Sequence, residues 1–304
     1  CLCLDISDCF WLFYASKYIH QTIIVMSLKT KLMTVISHVL HATPKKVVAN
    51  ITYLQPNNQL VRKNILITGG GRGLGYAMAK KFKSEGAEVL IAGRNEKNLK
   101  ISAEKIGCKF LTLDVQDVKS FKSFIDDADQ MLGGINCLVN NAGISLHEKG
   151  FLDVNPGQFD SQFNTNLKGA FFLTQCFINK CKEKKIEGTK NILFISSETG
   201  ITADERPYGL TKIAMNSLVQ GLACRFVNSE FRINAVAPGV TVSDMVTGSS
   251  DENLACGYNI TGRYYLPEEV AEVACFLLSD ASNCLNGQIL VCNEGKTINT
   301  RWKK

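Results

Sequence analysis

The sequence predicts an α/β fold, a doubly wound parallel sheet, and three observations carry that expectation. Between Lys63 and Ile298 short apolar segments alternate with helical ones. The apolar segments are continuous runs, as burial on both faces of a sheet requires. A glycine cluster follows the first of them, between strand and helix.

Taken in order, Asn64–Thr68 (NILIT) is a short β-branched run that stops at the glycines, and reads as a buried strand. Leu74 to Glu85 has helical spacing and terminates at Gly86. Glu88–Ala92 (EVLIA) is the second strand and Glu96–Ile106 a polar helix. Lys109–Leu113 (KFLTL), Cys137–Val139 and Asn191–Ile195 (NILFI) are further strands, each followed by a helical segment. Arg232–Val236 (RINAV) and Ile289–Val291 complete the set. No linker or compositional break interrupts this stretch. The expectation is a single Rossmann-type domain over residues 61–304, with an N-terminal appendage at 1–60.

At 304 residues the chain is long enough to bury a substantial core, and its 45% hydrophobic and 20% charged content is that of a globular protein. The net charge of +6 is mild, and no dense Lys/Arg block speaks for nucleic acid as a partner. Twelve cysteines are scattered without a CxxC pair or a histidine at zinc-ligand spacing. They read as reduced thiols of a cytoplasmic protein with no metal site. In the appendage, Lys17, His20, Lys29, Lys31 and His38 interrupt the apolar stretch Phe10 to Leu40, so no integral membrane span is expected. Asp5 and Asp8 precede that stretch, unlike a secretory signal. Two readings stand open: translation from Met26, the first methionine, or a genuine amphipathic segment that meets a membrane surface or a partner.

The run Thr68-Gly69-Gly70-Gly71-Arg72-Gly73-Leu74-Gly75 fits TGxxxGxG, through Gly69, Gly73 and Gly75, and not GxGxxG. Glycines between a strand and a helix let backbone N–H groups approach a pyrophosphate at the helix N-terminus. The second strand ends at Gly93-Arg94, where an NAD enzyme usually carries an acidic residue for the ribose hydroxyls. Arg72 and Arg94 instead suit a 2′-phosphate, which favours NADP(H) over NAD(H); the competing reading is that the arginines are merely solvated.

Tyr208 and Lys212 stand at i and i+4, on one face of the helix that Tyr208 opens. A neighbouring ammonium lowers a phenol pKa from about 10 and brings it within range of acid–base work. Alone, YxxxK is a common chance pattern. It gains weight from the strand end Ser196-Ser197, which offers a hydroxyl to the same substrate oxygen.

With these residues in view, the stretch from about 63 to 298 resembles the short-chain dehydrogenase/reductase family. TGGGRGLG resembles its cofactor loop, and Asp114-Val115 its acidic pair beside the adenine. Asn140-Asn141-Ala142-Gly143 matches NNAG, and Tyr208 with Lys212 matches YxxxK. The stretch from Arg232 to Pro238-Gly239 resembles the one that borders the nicotinamide, and Gly287-Gln288 and Asn293-Glu294-Gly295 the last strand region. The resemblance implies a carbonyl reductase or alcohol dehydrogenase. Tyr208 would be its general acid, Lys212 the ribose ligand, and Ser197 of the SSxxG pattern the group that polarises the carbonyl. Asn166 would anchor a water and the proton relay, and Ser243 would face the carboxamide. Homodimers or homotetramers are implied too.

Two departures stand out. The interval from Ser197 to Tyr208 is a residue or two shorter than usual, so either the loop is trimmed or Ser196 is the working hydroxyl; the SSxxG glycine, Gly200, favours Ser197. The lid stretch Val246 to Tyr265 is short and offers few large apolar groups for a bulky substrate. Within the family the nearest general resemblance is to 3-oxoacyl-carrier-protein reductases. The alternative is an idle NADP(H)-sensing binding protein of the same fold; such proteins typically lose the tyrosine or the lysine, and this chain keeps both.

Overall fold

The computed structural model describes residues 58–185, 187–242 and 253–298. The appendage up to residue 57, Ser243 and residues 246–252 of the lid stretch lie outside the described residues.

Seven strands form one parallel sheet: β1 (Asn64–Thr68), β2 (Glu88–Gly93), β3 (Lys109–Thr112), β4 (Cys137–Asn140), β5 (Lys190–Ile195), β6 (Phe231–Pro238) and β7 (Ile289–Cys292). Their order is β3-β2-β1-β4-β5-β6-β7. Successive strands run outward from β1 in one direction through β3, then start again beside β1 with β4, where Ile65 pairs with Cys137. That reversal opens a crevice at the carboxyl ends of β1 and β4, the usual place for a ligand in an open α/β sheet.

Helices cover both faces. Seven can be labelled α1 (Gly73–Ser84), α2 (Glu96–Ile106), α3 (Phe121–Leu132), α4 (Pro156–Gln162), α5 (Ala170–Lys184), α6 (Pro207–Arg225) and α7 (Pro267–Leu278). A π-helical stretch, Phe163–Gly169, joins α4 to α5. Alternation along each strand explains the continuous apolar runs. Ile65 and Ile67 of β1 point into a core with Met78, Phe82 and Leu277 of α1 and α7. Leu66 points the other way, into a core with Phe121, Phe177 and Val219 of α3, α5 and α6. Phe82, Phe121 and Phe177 are fully buried, and truncating any of them to alanine would cost about 3–5 kcal/mol.

Local signals set the helix ends. The Asn95 side chain caps α2 by accepting from Asn98 N at 2.9 Å, and Gly107 at φ 75° ends it in the left-handed region. Pro207, at the first position, starts α6. Most strands fall within a residue of their expected bounds, and the largest excess is in β6, which runs on to Pro238 because its ladder with β7 continues to the pair Pro238–Cys292. That extension delivers Pro238 and Gly239 to the crevice.

Candidate active site

The glycine turn is a tight piece of backbone packing. Gly69 is held at φ 66° and Gly73 at φ 52°, conformations that suit glycine. A Cβ on Gly75 would lie 2.2 Å from Gly69 O and 2.7 Å from Asn141 Nδ2. The first turn of α1 therefore sits directly on the end of β1. No side chain caps α1 at Arg72, and its first turn carries no acidic group. Those N–H groups and the helix dipole suit an anion, as a dinucleotide pyrophosphate requires. Gly71 lies on the far side of the turn, where its carbonyl accepts from Ser102 Oγ at 2.9 Å, and Leu74 packs half-buried on the α1 core.

Arg94 leaves the end of β2 exposed to solvent, and lines a cleft of about 500 Å³ with Thr112, Asp114 and Phe124. Asp114 Oδ1 accepts from Gln116 N at 3.0 Å, which fixes the bend after β3. Val115 is pinned by close approach of the π-helical stretch: a Cβ on Gly169 would lie 2.3 Å from Val115 O. The structure brings Arg94 and Asp114 to one cleft, at the end of the sheet where the glycine turn also lies.

The end of β4 is tied to that turn. Asn141 Nδ2 donates to Thr68 O at 2.9 Å and to Gly69 O at 3.1 Å, while Thr68 Oγ1 accepts from the amides of Asn141 and Ala142, both at 3.1 Å. Across the crevice, fully buried Asn166 lies in the π-helical stretch, a form found frequently at functional sites. Its Oδ1 accepts from Ile144 N at 2.8 Å, and its Nδ2 donates to Ile144 O at 2.9 Å and Thr211 Oγ1 at 3.2 Å. Thr211 Oγ1 in turn donates to Tyr208 O at 2.7 Å. Asn166 is thus bonded to the same turn of α6 that carries the Tyr–Lys pair.

The two serines at the end of β5 divide their partners. Ser196 Oγ donates to Asn216 Oδ1 at 2.7 Å, inside the protein. Ser197 stands beside Tyr208 and acts to lower its pKa, while Ser197 Oγ accepts from Thr199 N at 3.3 Å. The short interval before Tyr208 is spanned by a 3-10 turn, Glu198–Gly200, and a brief loop. Lys212 is buried, its Nζ 5.5 Å from the centre of the Tyr208 ring and donating to Ile195 O at 2.7 Å. A Cβ on Gly143 would lie 3.4 Å from Asn166 Oδ1 and 3.8 Å from Lys212 Nζ, so NNAG borders the same space.

The expected depression of the Tyr208 pKa is not what the structure gives. Burial raises it, and the neighbouring Ser197 offsets that only in part. The reason lies in Lys212: burial lowers its own pKa to about 8, and its ammonium is directed at the Ile195 carbonyl. Lys212 therefore exchanges its proton near neutral pH, whereas Tyr208 is held as the phenol.

On the far side, Gly239 N donates to Cys292 O at 2.9 Å, and a Cβ on Gly239 would lie 2.7 Å from the Tyr265 ring. Asn293 packs there too, and its Nδ2 reaches buried Glu198. Four residues of this surround escape motif reading: Thr211, Asn216, Glu198 and Lys296. Asn216 has a sequence signal, as a polar residue one turn beyond Lys212 on an apolar helix. Glu198 has another, a charge placed three residues after the end of a buried strand.

A fold of this order, with a glycine turn at its switch point and a Ser–Tyr–Lys group beside it, defines a class of nucleotide-dependent oxidoreductase. A family model described as enoyl-(acyl carrier protein) reductase matches residues 69–297. The chain belongs to the short-chain dehydrogenase/reductase family, enzymes that act on CH–OH groups with NAD(P). It is 31% identical over 251 residues to a tropinone reductase homolog of Arabidopsis thaliana, covering 79% of this chain and 93% of the relative. It is also 31% identical over 248 residues to the 3-oxoacyl-[acyl-carrier-protein] reductase of Aquifex aeolicus, covering 78% and 98%. Among solved structures, gox2181 matches with a TM-score of 0.72 at 26% identity, over 80% of this chain and 99% of that one. A short-chain dehydrogenase of Burkholderia cenocepacia, solved in complex with NADP, matches in fold with a TM-score of 0.70 at 24% identity, over 79% of this chain and all of the other.

Proposed function

We propose that this protein is an NADP(H)-dependent reductase of a ketone or aldehyde, or a dehydrogenase in the reverse direction, with Tyr208 as its acid and base. The observation that carries this reading is the meeting of Ser197 and Tyr208 beside buried Lys212, at the crevice that the glycine turn opens on. The relative named as a 3-oxoacyl-[acyl-carrier-protein] reductase supports 3-oxoacyl thioesters as one substrate class to try.

The dinucleotide would be held by Gly69, Gly71, Gly73, Leu74 and Gly75 at its pyrophosphate, and by Asp114 and Val115 beside the adenine. Asn141, Ala142 and Gly143 would hold the ribose, with Lys212 beside them. Pro238, Gly239 and Ser243 would border the nicotinamide. Arg72 and Arg94, two guanidinium groups at the ribose end with no acidic residue closing β2, support NADP(H) over NAD(H). When bound, this group supplies the hydride.

The protein's own residues manage the oxygen and its proton. Ser197 Oγ orients the carbonyl, and the Tyr208 phenol gives its proton to the carbonyl oxygen in reduction and takes it back in oxidation. A phenol that burial holds protonated suits the reductive direction. Lys212, with its pKa near 8, is matched to returning a proton to the site near neutral pH. Asn166, locked through both its amide atoms, keeps the backbone at Ile144 fixed along that route.

Free thiols at the described cysteines, with burial pushing Cys181 and Cys275 up to about 12, agree with a reduced, cytoplasmic setting. Among the described residues no helix is long and apolar enough to cross a membrane. Exposed Phe171 on α5 and exposed Leu210 and Ile213 on α6 lie on helices of one sheet face, and support assembly with a second copy.

The test is NADPH oxidation across acetoacetyl thioesters, small ketones, keto-sugars and quinones. Tyr208→Phe should abolish turnover while NADPH binds about as before. Replacing Arg72 and Arg94 together should move preference toward NADH. Retained turnover in Tyr208→Phe overturns the tyrosine assignment; an unchanged cofactor ratio overturns the NADP(H) assignment. NADPH binding with no turnover on any substrate would favour the sensing protein.

A further inference from the structure

Ser197 is the first residue of a short turn, and that turn is held from two directions. At its end, Asn216 Nδ2 donates to Gly200 O at 2.9 Å, while the same side chain accepts from Ser196. At its start, Glu198 is turned away from solvent toward the segment that follows β7. Both of its carboxylate oxygens are taken there: Oε1 by Lys296 Nζ at 2.6 Å, and Oε2 by Asn293 Nδ2 at 3.1 Å. Glu198 and Asn293 are buried, whereas the Lys296 side chain is 35% exposed.

A buried carboxylate is expensive to hold unless it is paired, and a merely structural turn would be served by an apolar residue at this place. The charge is useful because it is directional. It fixes Glu198 to atoms that also pack on Gly239, since the Asn293 Cβ lies 3.2 Å from where a Gly239 Cβ would be. Ser197 is thereby set relative to the strip that borders the nicotinamide.

We infer that Glu198, Asn293 and Lys296 form a clasp that positions the Ser197 hydroxyl against Tyr208, so that the carbonyl-orienting group is set by residues beyond the last strand. Glu198 and Lys296 are positioning residues, and the inference rests on the proposed reading of Ser197 and Tyr208 as the reacting centre. A hydroxyl displaced by about an ångström loses catalysis without losing the bound nucleotide, because the glycine turn and Asn141 lie on other elements.

The test uses the full chain and compares wild type, Lys296→Met, Lys296→Arg and Tyr208→Phe, with NADPH and the ketone of best turnover. Lys296→Met should lower kcat between about tenfold and a hundredfold, with the Kd for NADPH little changed. Lys296→Arg, which keeps the charge and reaches the same carboxylate, should recover most of that loss. Unchanged kcat in Lys296→Met overturns the clasp, and so does an equal loss in Lys296→Arg. If Lys296→Met is insoluble, Glu198→Gln with Lys296→Met leaves no unpaired buried charge and should show the same fall in kcat; wild-type kcat in it overturns the clasp. Tyr208→Phe separates the two readings. If it stays active the reacting centre is wrong, whereas a dead Tyr208→Phe beside a fully active Lys296→Met removes the clasp alone.

Discussion

Lys212 is in tension with its surroundings, and that tension is measurable. Its ammonium is buried with one carbonyl partner, so its pKa falls from 10.5 to about 8. Between those values the unfolded chain holds one proton more than the folded one, so the stability of the folded protein climbs as pH rises from about 8 to about 10.5. Below pH 8 the full penalty is present, on the order of 3 kcal/mol, which the hydrogen bond to Ile195 offsets only in part. Lys212→Met should therefore be inactive yet more stable than wild type at pH 7, with the advantage shrinking as pH approaches 10.5. Denaturant melts of the cofactor-free proteins over that range decide it; a pH-independent difference would contradict the assignment. At this scale the sequence revealed the pair but not its electrostatics. Spacing put Lys212 one turn from Tyr208, while burial depth and the direction of Nζ, which decide the sign of each shift, come from packing that only the folded chain has. The same holds for the two serines, alike in the sequence and separated by Asn216.

Among the elements, the glycine turn and α1 were legible because their constraint is local. A strand end, a reversal and a helix start within eight residues leave few backbone solutions, and glycine is required at Gly75 by the carbonyl of Gly69. Gly75→Ala should push the first turn of α1 off β1 and weaken NADPH binding by more than about tenfold, read by fluorescence titration. Gly221→Ala is its control: Gly221 lies inside α6 with open space around a Cβ, and the change should stabilise by about 0.5–1 kcal/mol without altering that titration. The π-helical stretch holding Asn166 was not legible beyond a helical segment. It ends at Gly169, which meets the Val115 backbone, a contact between parts of the chain far apart in sequence. The longer β6 has a similar origin, in its ladder with β7.

Taken whole, the molecule is organised by two-sided burial of one parallel sheet, and this was read correctly because it leaves continuous apolar strands in the sequence. Its outer surface is less explicit in sequence. Phe171, Leu210 and Ile213 remain exposed on helices whose other faces are core, and the chain mass of 33.5 kDa should appear doubled or quadrupled in light scattering. Leu210→Glu with Ile213→Glu should lower that mass, and a monomeric wild type would remove the assembly from the account. The clasp has a consequence in time as well. Glu198 and its partner Lys296 are 98 residues apart, whereas the glycine turn is complete within the first strands of the domain. As the chain leaves the ribosome, the glycine turn proposed for the pyrophosphate has all its parts early, and the proposed contacts from Asn141 to Ser243 follow later. The contacts that hold Ser197 wait for nearly the last residues of the domain to be made, so a nascent chain would complete the proposed pyrophosphate turn long before the clasp that sets its proposed carbonyl-orienting hydroxyl.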